Sequence, residues 1–232
     1  MIPAFNEEKY IENTLFSLLK SEQKTQLSYE MILVDNNSSD KTVQIARRFI
    51  GRMNLRIIKE PRQGRGIARA RGFAEAKGEI ILSADADTIF YPGWIEDLVS
   101  QLKGDTVAIT TTCKIVDCKP LTNLVFNFTQ PKVMVLYKLC LGHYWLNGFS
   151  FGILESVYKK SGGFNINLQA QEDIDLAFRV AKLGKIRFIN KPVIFSGRRF
   201  RKGLLVGYYE YAQTFIEAFI LKKQSVYLNN PR

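Results

Sequence analysis

The strongest constraint on this chain is a regular exchange of two hydrophobic periods along its first half. Short continuous apolar runs at Met31–Val34, Leu55–Ile58, Glu79–Ala84 and Val107–Thr112 read as strands. Between them, Glu7–Lys20, Asp40–Ile50, Gly66–Lys77 and Pro92–Leu102 carry helical spacing. A strand buried on both faces loses the polar–apolar alternation of a half-exposed one. The exchange therefore predicts βαβ units, and an α/β domain with a mostly parallel sheet covered on both faces by helices. Asn6 is expected to cap the first helix, with Glu7 and Glu8 in its first turn. Pro92 suits the first turn of its own helix. Met1–Ala4 looks like the end of a first strand. A central parallel strand has about 5 residues, so either this one is very short or a few N-terminal residues are missing.

The second half is less regular. Leu121–Leu141 is apolar with few breakers and reads as a helix. Gly142–Gly152, rich in glycine and aromatics, reads as a loop lining a pocket. Glu172–Leu183 is a clear helix and Ile186–Asn190 a short strand. A last helix is expected from about Leu204 to Lys222, where Leu204, Leu205, Tyr208, Ala212, Phe215 and Ile216 fall on one stripe, continued by Phe219 and Ile220.

Composition narrows the function classes. Hydrophobic residues make 46% and charged residues 24% of the 232, which is globular and argues against disorder. Lys and Arg number 33 against 22 Asp and Glu, a net charge of +11, which implies a polyanionic partner: nucleic acid, an acidic lipid surface or a phosphorylated small molecule. Three cysteines (Cys113, Cys118, Cys140) match no common zinc spacing and read as reduced thiols, favouring the cytosol. Acidic residues from Glu7 onward argue against a signal peptide, and no long charge-free window argues for a spanning helix.

Polar residues gather where the predicted strands end, the place where open α/β sheets bind ligands. Asp35-Asn-Asn-Ser-Ser-Asp40 follows one strand and Asp85-Ala-Asp87 another. Two carboxylates one residue apart can hold a divalent cation and a sugar hydroxyl; turn formation alone also favours such residues. Arg62-Gln-Gly-Arg-Gly-Ile-Ala-Arg-Ala-Arg-Gly72 is basic and opens a helix, a setting that suits phosphate or simply a solvated face. It lacks the glycine spacing of a dinucleotide fingerprint and the Gly-Lys-Ser/Thr of a P-loop. Glu172-Asp173 starts a helix, where a carboxylate complements the dipole or serves as a rigid general base. His143, the only histidine, reads as structural. Trp94 and Trp145 read as core or pocket wall. Arg198 and Arg199, just past a strand, could face solvent or reach a diphosphate.

The order of these pieces resembles the inverting family 2 glycosyltransferases, which have the GT-A fold and use nucleotide-activated sugars. The resemblance rests on Ile2-Pro-Ala-Phe-Asn-Glu-Glu8, Leu33-Val-Asp-Asn-Asn-Ser-Ser-Asp40, Gly66-Ile-Ala-Arg-Ala-Arg-Gly72, Ala84-Asp-Ala-Asp-Thr88, Gly162-Gly-Phe164 and Gln171-Glu-Asp-Ile-Asp-Leu-Ala-Phe-Arg179. It implies a single domain over residues 1–200, with a donor half to residue 110, an acceptor half beyond it, and a C-terminal amphipathic helix and tail over 201–232. It implies that Pro3, Asn6 and Glu7 lie beside the nucleotide, that Asp35 binds the base, and that Arg69 lies near the nucleotide. It implies that Asp85 holds the ribose or donor sugar, that Asp87 holds Mg2+ or Mn2+ on the diphosphate, and that Asp173 deprotonates the acceptor. Asn36 stands where many members carry a second Asp. The histidine that ligates metal in some members has no counterpart, and Arg198 and Arg199 resemble a subgroup whose arginines close on the donor phosphates. The implied partners are a UDP- or GDP-sugar and a saccharide or lipid-linked acceptor, with no nucleic acid. A nucleotidylyltransferase is a second reading, though the acidic Phe5-Asn-Glu-Glu8 stands where such enzymes carry a basic glycine-rich loop. A non-enzymatic basic module is a third.

Four cations in Arg198-Arg-Phe-Arg-Lys202, followed by the apolar stripe from Leu204, also suggest peripheral contact with an anionic membrane at its cytoplasmic face.

Overall fold

The computed structural model describes residues 1–22, 25–168 and 170–221. Its first three strands, β1 (Ile2–Ala4), β2 (Met31–Asp35) and β3 (Leu55–Lys59), form a parallel sheet with Ile2 opposite Leu33 and Met31 opposite Leu55. They are linked by α1 (Ile11–Glu22) and α2 (Thr42–Arg47), and α3 (Arg65–Glu75) follows β3. Every residue of β2 is buried. Its Leu33 packs in one cluster with Ile11, Leu15 and Leu18 of α1, while Ile32 and Val34 pack with Ala68 of α3. Alternate side chains thus enter two different cores, which is why the run is apolar throughout.

Met1 joins this sheet to the rest. Its amino group donates to the Leu82 carbonyl at 2.8 Å, and its carbonyl accepts from Ala84 N at 3.0 Å. That lays β1 beside β4 (Ile80–Ala84). Burial lowers the amine's pKa to about 5. From β4 the second sheet runs in the order β4-β7-β6-β8-β5, with β5 (Thr88–Ile89), β6 (Thr106–Lys114), β7 (Ser150–Leu154) and β8 (Lys185–Phe195). Here β6 and β8 are parallel, whereas β7 runs antiparallel to β4 and β6, and β5 antiparallel to β8. Helices α4 (Trp94–Gln101), α5 (Pro120–Leu141), α6 (Glu155–Lys160) and α7 (Glu172–Val180) cover this half. A 3-10 turn (Gly197–Phe200) leads into α8 (Leu204–Phe215), which widens into a π-turn at Ile216–Ile220. The expected helix end at Lys222 lies outside the described residues. One apolar cluster runs from Ile2 to Phe200, so the strands share a core in a single α/β domain.

Three local expectations are corrected. Asn6 does not cap α1: it sits at φ 53° and its Oδ1 accepts from Ser39 N at 2.8 Å, while the helix begins at Ile11. The helix expected from Pro92 begins at Trp94, after Gly93 in the left-handed region at φ 87°. Ser150–Gly152, expected in a loop, belongs to β7, an interior strand paired with β4 and β6. Its glycine is a packing requirement. A Cβ on Gly152 would lie 2.7 Å from Leu82 Cδ2 and 3.2 Å from Ile109 Cγ2.

Gly152→Ala should therefore lower stability by about 1–3 kcal/mol through overpacking, read as a reduced urea midpoint at unchanged slope. A midpoint equal to wild type would contradict the packing described.

Candidate active site

The strand ends open onto a cleft of ≈ 1180 Å³ walled by both halves of the chain. Strand β1 contributes Pro3, the turn after it Glu7, and the loop after β4 Asp85 and Asp87. The start of α3 adds Arg65 and Arg69, α7 adds Glu172 and Asp173, and the 3-10 turn adds Arg198 and Arg199. Most residues singled out in the sequence thus meet in one place. Asn6 and Asp35 do not reach the wall. Asp35 is buried, and its Oδ1 accepts from Ser38 N at 3.0 Å. Local turn chemistry uses both side chains.

Asn36 stands on the wall instead. Its amide donates to the carbonyls of Glu60 (3.0 Å) and Arg62 (2.8 Å), and its Oδ1 accepts from Gly64 N at 2.8 Å. These bonds seat the loop that starts α3, so the α3 N-terminus, Gly64 and Arg65 face the cleft. An aspartate would lack the two donors.

The carboxylates are sorted by two arginines. Arg69, 2% exposed, pairs through Nη2 with Asp85 Oδ1 at 2.6 Å and through Nη1 with Glu172 Oε1. Burial opposes its charge, but Asp85, Glu172 and Asp173 outweigh burial and hold its pKa above the ordinary value. Arg198 grips Glu7 with both terminal nitrogens, at 3.1 and 3.0 Å, and reaches Asp87 Oδ2 at 2.6 Å. Its guanidinium lies over the Tyr10 ring, 5.4 Å from the centroid. Burial again opposes the charge and is outweighed by Asp87 and Glu7. Arg199 lies 5.9 Å from the Tyr211 ring centroid and 3.9 Å from Glu210. Burial, with Arg65 and Arg198 nearby, lowers its pKa.

Asp173 is held differently. Its Oδ2 accepts from Gly148 N at 2.8 Å and its Oδ1 from Ile174 N at 2.9 Å. Burial, then the neighbouring Glu172 charge, pushes it up to about 6 against the opposing pull of Arg69. Gly148 can carry no side chain here: a Cβ would press on the Arg69 guanidinium and lie 3.0 Å from Asp173 Oδ2. Gln171 sits at φ 63° before α7, and its Nε2 donates to Thr214 Oγ1 of α8 at 2.8 Å. Glu172, Gly148 and Gln171 were not among the expected site residues. Their sequence signals were coarser: the doubled carboxylate at 172–173, the motif that opens at Gln171, and the glycine-rich stretch 142–152 read as a pocket loop. His143 Nδ1 lies 3.0 Å from the Tyr144 carbonyl, and its ring packs against Phe178. Among the described residues no group of three or more His, Cys, Asp or Glu could hold a metal ion.

The family described as Glycosyl transferase family 2 matches residues 1–157. The chain belongs to that family. It is 32% identical over 202 residues to the probable glycosyltransferase YdaM of Bacillus subtilis, covering 81% of this chain and 47% of YdaM. It is 29% identical over 142 residues to the poly(ribitol-phosphate) beta-N-acetylglucosaminyltransferase TarS of Staphylococcus aureus, covering 59% of this chain and 24% of TarS. The chain thus spans about half or less of the length of these two relatives. Among solved structures, S. aureus TarS with UDP-GlcNAc superposes with a TM-score of 0.66 at 20% identity, over 84% of this chain and 57% of that one. The mannosyltransferase PcManGT of Pyrobaculum calidifontis with GDP-Man and Mn2+ gives 0.64 at 21% identity, over 91% and 63%. The fold is therefore GT-A, and family membership favours the glycosyltransferase reading over the other two.

The Asp173 arrangement predicts a stability trade. A carboxyl whose pKa is raised on folding binds more protons in the native state, so its contribution falls as pH rises from the unfolded value towards about 6 and stays unfavourable above it. Asp173→Asn should therefore stabilise the fold more at about pH 7.5 than at about pH 4.5, by chemical denaturation at both. An equal effect at both pH values would contradict the raised pKa.

Proposed function

We propose that this chain transfers a sugar from a UDP- or GDP-sugar to an acceptor hydroxyl with inversion, and that Asp173 is the base. The observation that carries this reading is the sorting of the carboxylates. Among the described cleft residues, Glu7, Asp85, Asp87 and Glu172 face arginines, whereas Asp173 is held by backbone N–H groups. A carboxylate with a pKa near 6 is ionised at neutral pH yet basic enough to take a proton. Its position at the start of α7 keeps it rigid.

In this account the acceptor hydroxyl gives its proton to Asp173 as its oxygen attacks the anomeric carbon. The bond from that carbon to the diphosphate breaks on the opposite face, and the electron pair leaves with the nucleoside diphosphate. One displacement with one base inverts the configuration. Arg198, Arg199, Arg65 and the α3 N-terminus supply positive potential for the leaving group. Pro3 and Glu7 line the nucleotide end, with Arg69 holding Asp85 towards the donor sugar or ribose. Asn6 and Asp35 act from behind the wall by shaping the turns at residues 38–40. Residues 1–110 would form the donor half and 111–200 the acceptor half.

The donor class is supported by the UDP-GlcNAc in the TarS structure and the GDP-Man and Mn2+ in the PcManGT structure. The residues fit a divalent cation of one kind. Glu7 and Asp87 already hold a cation between them, the Arg198 guanidinium, so this point of the cleft favours positive charge. The donor set is too small for a metal held by protein alone and suits Mg2+ or Mn2+ arriving on a diphosphate, with Asp87 as its protein ligand. Such an ion would supply Lewis-acid stabilisation of the leaving group.

Asp87→Ala should abolish Mn2+-dependent binding of UDP or GDP in calorimetry, whereas Asp173→Asn should keep that binding and lose about 10²–10⁴ in turnover. Unchanged nucleotide affinity in the first variant, or near-full turnover in the second, would overturn the corresponding role.

A further inference from the structure

Helix α5 carries an outer face that is exposed among the described residues. Phe126, Gln130 and Met134 point inward, while Leu121, Leu124, Phe128, Val135 and Leu139 are exposed, from 42% to 72%. Their spacing makes one stripe along the helix. Helix α8 presents a second stripe through Leu205, Tyr209, Ile216 and Ile220, exposed from 44% to 83%. The two helices are joined by Phe126 against Phe200 and Tyr208, and by Thr129 Oγ1 3.3 Å from the Tyr208 hydroxyl. Both continue to the cleft. Val133, Leu136 and Leu141 of α5 are exposed and line it, as does Ala212 of α8, so the rim of the mouth is apolar.

The charges on α5 have one sign, while α8 and its π-turn carry Glu210 and Glu217, both half-buried. Helix α5 contains no acidic residue and carries Lys132 and Lys138. The Lys132 ammonium lies 3.2 Å from the Phe128 ring centroid, its stem along the apolar stripe. Exposed Lys119, Arg201 and Lys202 cluster where the chain enters α5 and α8; Arg201 lies 3.2 Å from Asp117. Of the four cations expected to face a membrane, Arg198 and Arg199 instead turn into the cleft, with side chains 15% and 7% exposed. No helix among the described residues is long and apolar enough to cross a bilayer.

We propose that the outer faces of α5 and α8 form one docking surface for an anionic bilayer, lying in its interface with the cleft mouth at the lipid edge. A large apolar patch rimmed by cations has the chemistry of an interfacial helix pair. Two copies meeting through α5 would instead oppose lysine to lysine. Building on the transfer reading above, the arrangement makes the acceptor an amphiphile whose hydroxyl enters from the membrane plane while the donor enters from water.

The test is flotation of the full chain, without nucleotide, on phosphatidylcholine vesicles with and without phosphatidylglycerol. Wild type should float with the anionic vesicles only, and less at higher salt. The variant Leu124→Gln/Phe128→Gln/Leu139→Gln, outside the cleft, should bind at least about tenfold more weakly with an unchanged melting curve. If that variant does not fold, Leu139→Glu should weaken flotation in the same way. Failure of wild type to float, or undiminished flotation of the folded variant, overturns the proposal. So does a wild-type dimer that the variant converts to monomer in light scattering, which would assign the face to a second copy. Calorimetric nucleotide binding is read separately, so loss of the membrane site leaves the transfer reading standing, and the reverse.

Discussion

The structure turns on a single buried guanidinium. Arg69 projects from α3 and draws Asp85, at the end of β4, and Glu172, at the start of α7, onto one cation. Those carboxylates lie 16 and 103 residues away in sequence. Leaving one partner of a buried pair uncompensated costs about 3–5 kcal/mol, so each of the three groups commits the other two to their places. Gly148 completes the arrangement, because only a residue without a side chain lets the loop before β7 pass beside the guanidinium. The cleft walls after β4 and at the start of α7 are therefore positioned by the same charge.

That positioning divides the acidic residues by partner. Glu7, Asp85, Asp87 and Glu172 face arginines. Asp173 is held apart from these pairs although it sits one residue from Glu172. Its oxygens accept from backbone N–H groups, and burial with the Glu172 charge raises its pKa to about 6. Arg198 does the corresponding work at the other end, holding Glu7 and Asp87 together at the point where a diphosphate and its cation would sit. The cleft thus carries arginines at one end and, at the other, a carboxylate held by backbone N–H groups, the arrangement from which the proposed transfer follows.

How much of this was legible depends on whether the signal was local. The burial of β2 on both faces left an unbroken apolar run, so the first half of the sheet could be read directly. Strand β7 could not, because its glycine and aromatics have the composition of a loop and only the packing of Leu82 and Ile109 explains Gly152. Asp85, Asp87 and Asp173 stood out as acids at element ends. Their partners did not, since ion pairs between distant segments leave no spacing in the chain. Asn6 and Asp35 stood out by motif order as well, and each accepts a local turn bond, from Ser39 N and Ser38 N respectively. Helix α5 was readable as a helix, but its uncovered face was not, because an apolar run looks the same whether it meets a core or a lipid.

If Arg69 sorts the carboxylates so that Asp173 acts as the one base, transfer is a single displacement. The most direct measurement is the configuration of the sugar first released when water replaces the acceptor. Incubation with α-linked UDP- and GDP-sugars and Mn2+ can be followed by proton NMR at early times. The account predicts that the β-anomer appears first, ahead of mutarotation, and that Asp173→Asn suppresses it. Initial release of the α-anomer, or hydrolysis that survives in Asp173→Asn, would contradict it.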